Sequence, residues 1–255
     1  MSRLYTFGCS FTDYRYPTWA DFIGQGFDVY ENWGKSGAGN FYIASQLYEC
    51  NQINELNEDD HVLIMLSSFS RYDFIDNTSV FHTPGNIYSQ DYLDDKFKTK
   101  YWSEEYGFYM SWFCVNSIIN LLEFTGCKYK LMCAFDLLKI ENGPFLFEES
   151  SGLRVSRCSE YFKKILPKVN MKEWFDNSGD GYYDFKNHIP DYHPKITSHH
   201  NWVKEFLPEY YKPEMKELSE EWEKLISPTY DETIENFNKI LDRRHIINFS
   251  KRVTI

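Results

Sequence analysis

Arg3-Leu4-Tyr5-Thr6-Phe7-Gly8-Cys9-Ser10-Phe11-Thr12 is the stretch on which the reading of this chain turns. Arg3 to Phe7 reads as a short buried strand. Gly8 and Cys9 follow, then Ser10, ahead of a helix predicted to begin within Trp19 to Ile23. In open α/β sheets, sites lie beyond the carboxyl ends of the strands. A serine there can point its hydroxyl into a crevice and hold its own N–H near a helix start, free to stabilise an oxyanion. The same serine also fits an ordinary helix N-cap.

Working outward, Phe27 to Tyr30 is a second strand candidate. It leads into a loop of small residues, Asn32-Trp33-Gly34-Lys35-Ser36-Gly37-Ala38-Gly39-Asn40. Phe41 to Cys50 has helical spacing, with Ile43, Ala44, Leu47 and Tyr48 apolar. His61-Val62-Leu63-Ile64-Met65-Leu66 is an uninterrupted apolar run, which suits a parallel strand covered on both faces. The serine-rich turn Ser67-Ser68-Phe69-Ser70-Arg71 follows. Residues 73–105 are polar and turn-rich and read as an insertion. Trp112 to Phe124 reads as a helix and Tyr129 to Phe135 as another strand. Strands separated by helices predict an α/β fold with a parallel sheet and right-handed crossovers.

Residues 136–187 have weak periodicity and read as a lid or an irregular excursion. His188-Ile189-Pro190-Asp191-Tyr192-His193-Pro194 precedes a helix that starts near His199 and includes Trp202, Val203 and Phe206. From Pro208 the character changes. Residues 213–226 and 230–243 look like two charge-rich amphipathic helices, and 244–254 like a last strand. The reading divides the chain into a catalytic domain over 1–207 and an extension over 208–255. Three roles are open to that extension: completing the domain, embracing a second subunit or docking a partner.

A chain of 255 residues is long enough to bury a real core. Charged residues at 25% and apolar residues at 42% are ordinary for a globular protein. Aromatics reach 19%, which points to a Tyr- and Phe-rich core or an aromatic binding face. The net charge of −11 and the lack of a basic stripe argue against nucleic acid and anionic membranes as partners. No signal-peptide pattern or membrane-length apolar run is present, so a soluble, cytoplasmic protein is expected, with incorporation into a virus particle left open. The six cysteines form no CxxC pair and read as reduced and structural.

Three groups of residues suggest acyl chemistry. Ser10 is the first. Asp191-Tyr192-His193-Pro194 is the second: a serine hydroxyl needs a base, and the base needs a carboxylate to set its tautomer. A surface turn holding a charge pair fits those residues equally well. The third is Ser36 to Asn40, where glycine permits close backbone approach and an N–H can face a carbonyl oxygen. Asn40 adds a possible side-chain donor, and a plain glycine-rich turn is the alternative.

Together these blocks resemble the SGNH/GDSL hydrolases. Gly8-Cys9-Ser10-Phe11-Thr12 is similar to that family's first block, with Cys9 in place of the usual Asp; this Gly-Cys-Ser-Phe-Thr version resembles a branch met in viral and bacterial genomes. Asn32 to Asn40 resembles the second block, with Gly37 in the place of its oxyanion-hole glycine. Asp191-Tyr192-His193-Pro194 resembles the last block, although Asp and His are two apart here rather than three. The third block, Gly-x-Asn-Asp in the family, is replaced by Ser67 to Arg71. Its Asn donor is missing, and Ser68 and Arg71 are the candidates to substitute for it. The resemblance covers residues 3–207.

It implies a three-layer α/β/α flavodoxin-like fold with about five parallel strands. It implies ester hydrolysis through an acyl-enzyme, with Ser10 as nucleophile, His193 as base and Asp191 as its orienting carboxylate. The backbone N–H groups of Ser10 and Gly37 would form the oxyanion hole, assisted by Asn40 or Ser68. Arg71 and Tyr14 are possible substrate-binding residues, Tyr14 together with Tyr16 and Trp19 unless these pack in the core. No cofactor or metal is required. A zinc site among His188, Asp191, His193, His199 and His200 is the less favoured reading of that cluster. The expected substrate is a small-molecule or carbohydrate ester, first an O-acetylated sugar. Two other classes stay in view: a structural or binding protein, such as a virion or assembly component, and an O-acyltransferase. A homo-oligomer assembled through 208–255 is also possible.

Overall fold

The computed structural model describes residues 1–88, 94–137, 153–186 and 192–240. Its elements run β1 (Arg3–Phe7), α1 (Trp19–Gly24), β2 (Val29–Asn32), α2 (Asn40–Asn54) and β3 (His61–Leu66). They continue with β4 (Phe74–Ile75), β5 (Phe81–His82), α3 (Asp95–Tyr101), α4 (Glu104–Thr125) and β6 (Lys128–Cys133). The last are α5 (Leu153–Ile165), α6 (Met171–Ser178), α7 (Ile196–Phe206), α8 (Glu214–Glu223) and α9 (Tyr230–Ile240).

The main sheet has the order β2-β1-β3-β6, and each of its pairs is parallel. Leu4 sits beside Tyr30 on one side and His61 on the other, and His61 pairs with Lys128. Along β3 the side chains alternate between two cores, as the period of a strand requires. Val62, Ile64 and Leu66 face one cluster with Ile43, Leu47, Phe108, Val115, Ile118 and Phe162. Leu63 and Met65 face the other with Trp19, Phe22, Trp202, Met215, Trp222 and Phe237. Helices α2, α4 and α5 therefore cover one face, and α1, α7, α8 and α9 the other. This is the three-layer α/β/α arrangement.

About five strands were expected in the sheet, and four are present among the described residues; the segment 244–254 lies outside them. Helix α4 begins eight residues before the predicted Trp112. Ser103 caps it by accepting from Tyr106 N at 3.1 Å, Glu104 and Glu105 favour the positive end of the helix dipole, and Gly126, at φ 71°, closes it. The predicted insertion accordingly shortens to the β4–β5 hairpin, α3 and their links.

The described part of 136–187 is layer rather than lid. Phe162 of α5 and Met171 of α6 are fully buried, one in each core. Residues 138–152 lie outside the description. The 207/208 boundary is likewise bridged by packing. Met215, Trp222 and Phe237 are buried with Trp19 and Phe22 of the first layer helix, so residues 208–240 complete the domain. Among the described residues, no helix is long and apolar enough to cross a membrane.

Candidate active site

With β1 flanked by β2 and β3, the chain reverses its winding direction between β1 and β3, and the crevice at their carboxyl ends is where such sheets place sites. Ser10 lies there, just past β1. The carbonyl of Cys9 accepts from Thr12 N at 2.8 Å and Asp13 N at 3.0 Å, turning the chain tightly around the serine. Gly8 is required by this turn: a Cβ there would come within 2.1 Å of Thr12 Oγ1 and 3.0 Å of the Met65 carbonyl on β3.

The loop after β2 is tied to that turn. Lys35 N donates to Gly8 O at 3.0 Å. Asn32 donates through Nδ2 to Thr12 O at 2.9 Å and accepts from Gly34 N at 3.0 Å, clasping both loops. Gly37 sits at φ +80°, a region that favours glycine, and a Cβ would meet Thr83 O at 2.1 Å. Thr83 also donates its hydroxyl to Ser36 O, so the link following β5 backs the glycine loop.

Asp73 was absorbed into the predicted insertion, yet it organises this side of the crevice. It is buried. Its Oδ1 accepts from Gly39 N at 2.8 Å and its Oδ2 from Tyr42 N at 2.9 Å, holding the loop and the first turn of α2 together. Burial pushes its carboxyl up to about 6, against the opposing pull of those two N–H groups and of Arg71 and Lys35. Burial in turn lowers Lys35, whose ammonium donates to Phe81 O. A single acidic residue in a polar stretch carries no periodic signal, which is why sequence reading passes over it.

Asn40 and Ser68 were candidates for the oxyanion hole. In this structure both amide hydrogens of Asn40 are committed, to Ser67 O at 2.8 Å and Ser111 Oγ at 3.1 Å, while its Oδ1 accepts from Ser67 N at 2.8 Å. Asn40 thus locks the end of β3 to α2 and α4. The Ser68 hydroxyl pairs with that of Ser70 at 2.8 Å and is fully buried. Arg71 sits at the rim with its guanidinium 4.8 Å from the Phe135 ring centroid.

The opposite side is built of rings. His193 stacks on Tyr14 with centroids 3.8 Å apart and planes 19° from parallel, and meets Phe11 edge-on at 5.7 Å. Tyr16 donates to the His193 carbonyl at 3.4 Å. Phe11 packs on Phe135 at 5.4 Å, so an unbroken run of rings joins His193 to Arg71 across the crevice. The tail reaches the same place: the Tyr14 and Tyr230 hydroxyls lie 3.2 Å apart, and the Arg15 guanidinium covers the Tyr230 ring at 4.8 Å. Tyr16 and Trp19 are core residues, while Tyr14 is half-buried at the site.

His193 is therefore brought to the side chains that follow Ser10 in and just after its turn, although among the described residues no hydrogen bond joins it to the Ser10 hydroxyl. Such contacts are often long in unliganded enzymes and close around substrate. Asp191 and His188 lie outside the described residues. His199 is buried behind His193. Burial, and then the charge of His193, hold it near 3, so its ring stays neutral.

No family model matches this sequence, and no curated protein matches it. Among solved structures it is similar to a lipolytic protein of the G-D-S-L family from Veillonella parvula, with 12% identity, TM-score 0.42, and coverage of 81% of this chain and 99% of that one. A GDSL-like lipase from Bacteroides thetaiotaomicron gives 14% identity, TM-score 0.42, and coverage of 85% and 88%. A psychrotrophic esterase from Pseudoalteromonas gives 12%, 0.40, and coverage of 81% and 98%. These overlaps are too modest to carry chemistry across, and what the chain shares with these lipolytic proteins is a likeness of structure.

Proposed function

We propose that this protein is a serine ester hydrolase working through an acyl-enzyme. The observation that carries the reading is the arrival of His193, 183 positions beyond Ser10 along the chain, against Phe11 and Tyr14, which follow Ser10 at the switch point of the sheet. In this reading the Ser10 hydroxyl attacks the ester carbonyl as His193 takes its proton. The N–H groups of Ser10 and Gly37 receive the oxyanion. Collapse expels the alcohol, which takes the proton from His193. Water, activated by the same ring, then releases the acid and restores Ser10. Asp191 is assigned to orient His193, and the Tyr14 stack to hold its plane. Asn40 and Ser68 are left out of the oxyanion hole because their hydrogen bonds are engaged elsewhere. Arg71 is the candidate to supply positive charge at the rim, in place of the missing Asn donor.

The substrate proposed is a small acyl ester, an acetylated carbohydrate first. The rings of Phe11, Tyr14 and Phe135 and the Arg71 guanidinium, set around the Ser10 turn, support a compact, partly polar group. Aromatic faces beside a guanidinium suit sugar rings better than a long acyl chain.

The test is hydrolysis of a short-chain activated acetate ester by wild type, Ser10→Ala and His193→Ala, with folding checked by circular dichroism. Activity in the wild type that drops by at least about 10³-fold in both variants is expected. Equal activity in wild type and Ser10→Ala would remove Ser10 from the mechanism.

A further inference from the structure

Helix α4 is unlike the charged helices of the opposite layer. From Tyr106 to Leu122 it has no Asp, Glu, Lys or Arg, and in the adjoining α2 the only charge is Glu49. Its outward stripe, spaced at helical intervals, carries Tyr106, Tyr109, Phe113 and Phe124. Phe41 and Tyr48 of α2 extend it sideways, and the Tyr48 hydroxyl donates to Ser117 O to join the two helices.

Phe113 is 59% and Phe124 86% exposed, and the other four rings are each 40–45% exposed. Together they offer about three whole aromatic side chains of surface, on the order of 600 Å². Asn120 is exposed on this face, while three of its other polar side chains bond back to their own helices. Ser45 donates to Phe41 O at 2.8 Å, Ser117 to Phe113 O at 3.0 Å and Asn116 to Trp112 O at 2.7 Å, each within its own helix. An aromatic stripe of this extent on a helix is normally covered by another surface.

We infer that the α2–α4 face is the interface through which two copies of this chain pair. The area decides for a second copy: with the surrounding polar atoms it approaches the roughly 800 Å² per partner of a standard interface. Charge points the same way. Each copy carries −11 overall, so repulsion between two copies is least across a face nearly free of charge, and this face gives a charged partner little to hold. A two-fold axis beside Phe113, near the middle of the roughly 33 Å helix, makes the pairing antiparallel and self-complementary. Phe113 then meets its own counterpart, and Tyr109 lies opposite Ser117 of the second copy. The face is distinct from the 208–255 segment to which the sequence lends a possible assembly role.

The experiment is sedimentation velocity on the full chain from about 1 to 100 µM, with Phe113→Asp beside the wild type and near-UV circular dichroism to verify folding. A wild-type dimer whose self-association weakens at least about 30-fold in the variant is expected. Mild oxidation of Phe113→Cys supplies the second readout, and it decides if Phe113→Asp does not fold. All six native cysteines are buried, so a covalent dimer specific to the variant places residue 113 against its own copy. A wild type that stays monomeric throughout overturns the proposal. So does a dimer indifferent to Phe113→Asp with no cross-link through residue 113. A monomer that binds neutral lipid vesicles through this face would make a membrane the occupant and overturn it as well.

Discussion

The crevice around Ser10 has two walls built by different means. The wall of Gly37, Asn40 and Asp73 is held by buried hydrogen bonds: Asp73 to the N–H groups of Gly39 and Tyr42, Asn40 to both backbone groups of Ser67. The wall of His193, Phe11, Tyr14 and Tyr230 is built chiefly of ring contacts, with a hydroxyl pair and a long hydrogen bond from Tyr16 to the His193 carbonyl. A buried hydrogen bond is directional, and its loss strands a partner in a place without water. Ring contacts spread their energy over area and yield by small shifts. The polar wall therefore fixes the glycine loop in one place, and the ring wall leaves His193 room for small shifts, as the proposed hydrolysis would use them.

This contrast can be tested first at its deepest anchor. Phe237 of α9 is fully buried and holds in place the helix that brings Tyr230 to Tyr14. Phe237→Ala should cost about 3–5 kcal/mol in chemical denaturation. A loss near zero would mean that residues 208–240 are an appendage after all.

Asn40→Ala should cost about 2–4 kcal/mol, because it leaves the N–H and C=O of Ser67 buried without their partner. If the variant unfolds as the wild type does, the polar wall is not held as described.

The titrating groups of the two walls oppose each other. His199, neutral in the fold and held near 3, binds its proton more readily when unfolded, so its contribution to stability is lost as pH falls from about 6.5 toward 3. Asp73, raised to about 6, binds its proton more readily when folded, so its contribution grows as pH falls from 6 toward 4. Melting at pH 7 and pH 4.5 should show a smaller acid loss in His199→Gln than in the wild type and a larger one in Asp73→Asn. The reverse order would exchange the roles of the two walls.

The smallest effect is expected for Tyr14→Phe, which keeps the stack on His193 and removes the hydroxyl contact with Tyr230. About 1 kcal/mol of stability should go, with little change in ester hydrolysis. A large fall in turnover would instead place the hydroxyl in the chemistry.

Much of this was legible in the chain itself. The apolar run His61 to Leu66 declares a strand buried on both faces, and it is one, because only a covered parallel strand can hide side chains that alternate between two cores. Gly8 and Gly37 stand where the backbone needs them, since local sterics act over a few residues and can be read there. Apolar spacing points to a start of α4 at Trp112, eight residues late, because its first turn carries Glu104, Glu105 and Tyr106, whose helical state comes from the Ser103 cap rather than from an apolar face.

What the sequence determined by itself was therefore local: strand periods, caps, the glycines of tight turns and the order of the blocks. The tertiary structure alone decided that Asp73 belongs to the glycine loop, that Asn40 ties the end of β3 to α2 and α4, and that Tyr14, His193 and Tyr230 share one wall. Each of these joins groups between 27 and more than 200 positions apart. Partnerships over that span follow from how whole layers pack, and no local pattern in the chain encodes them.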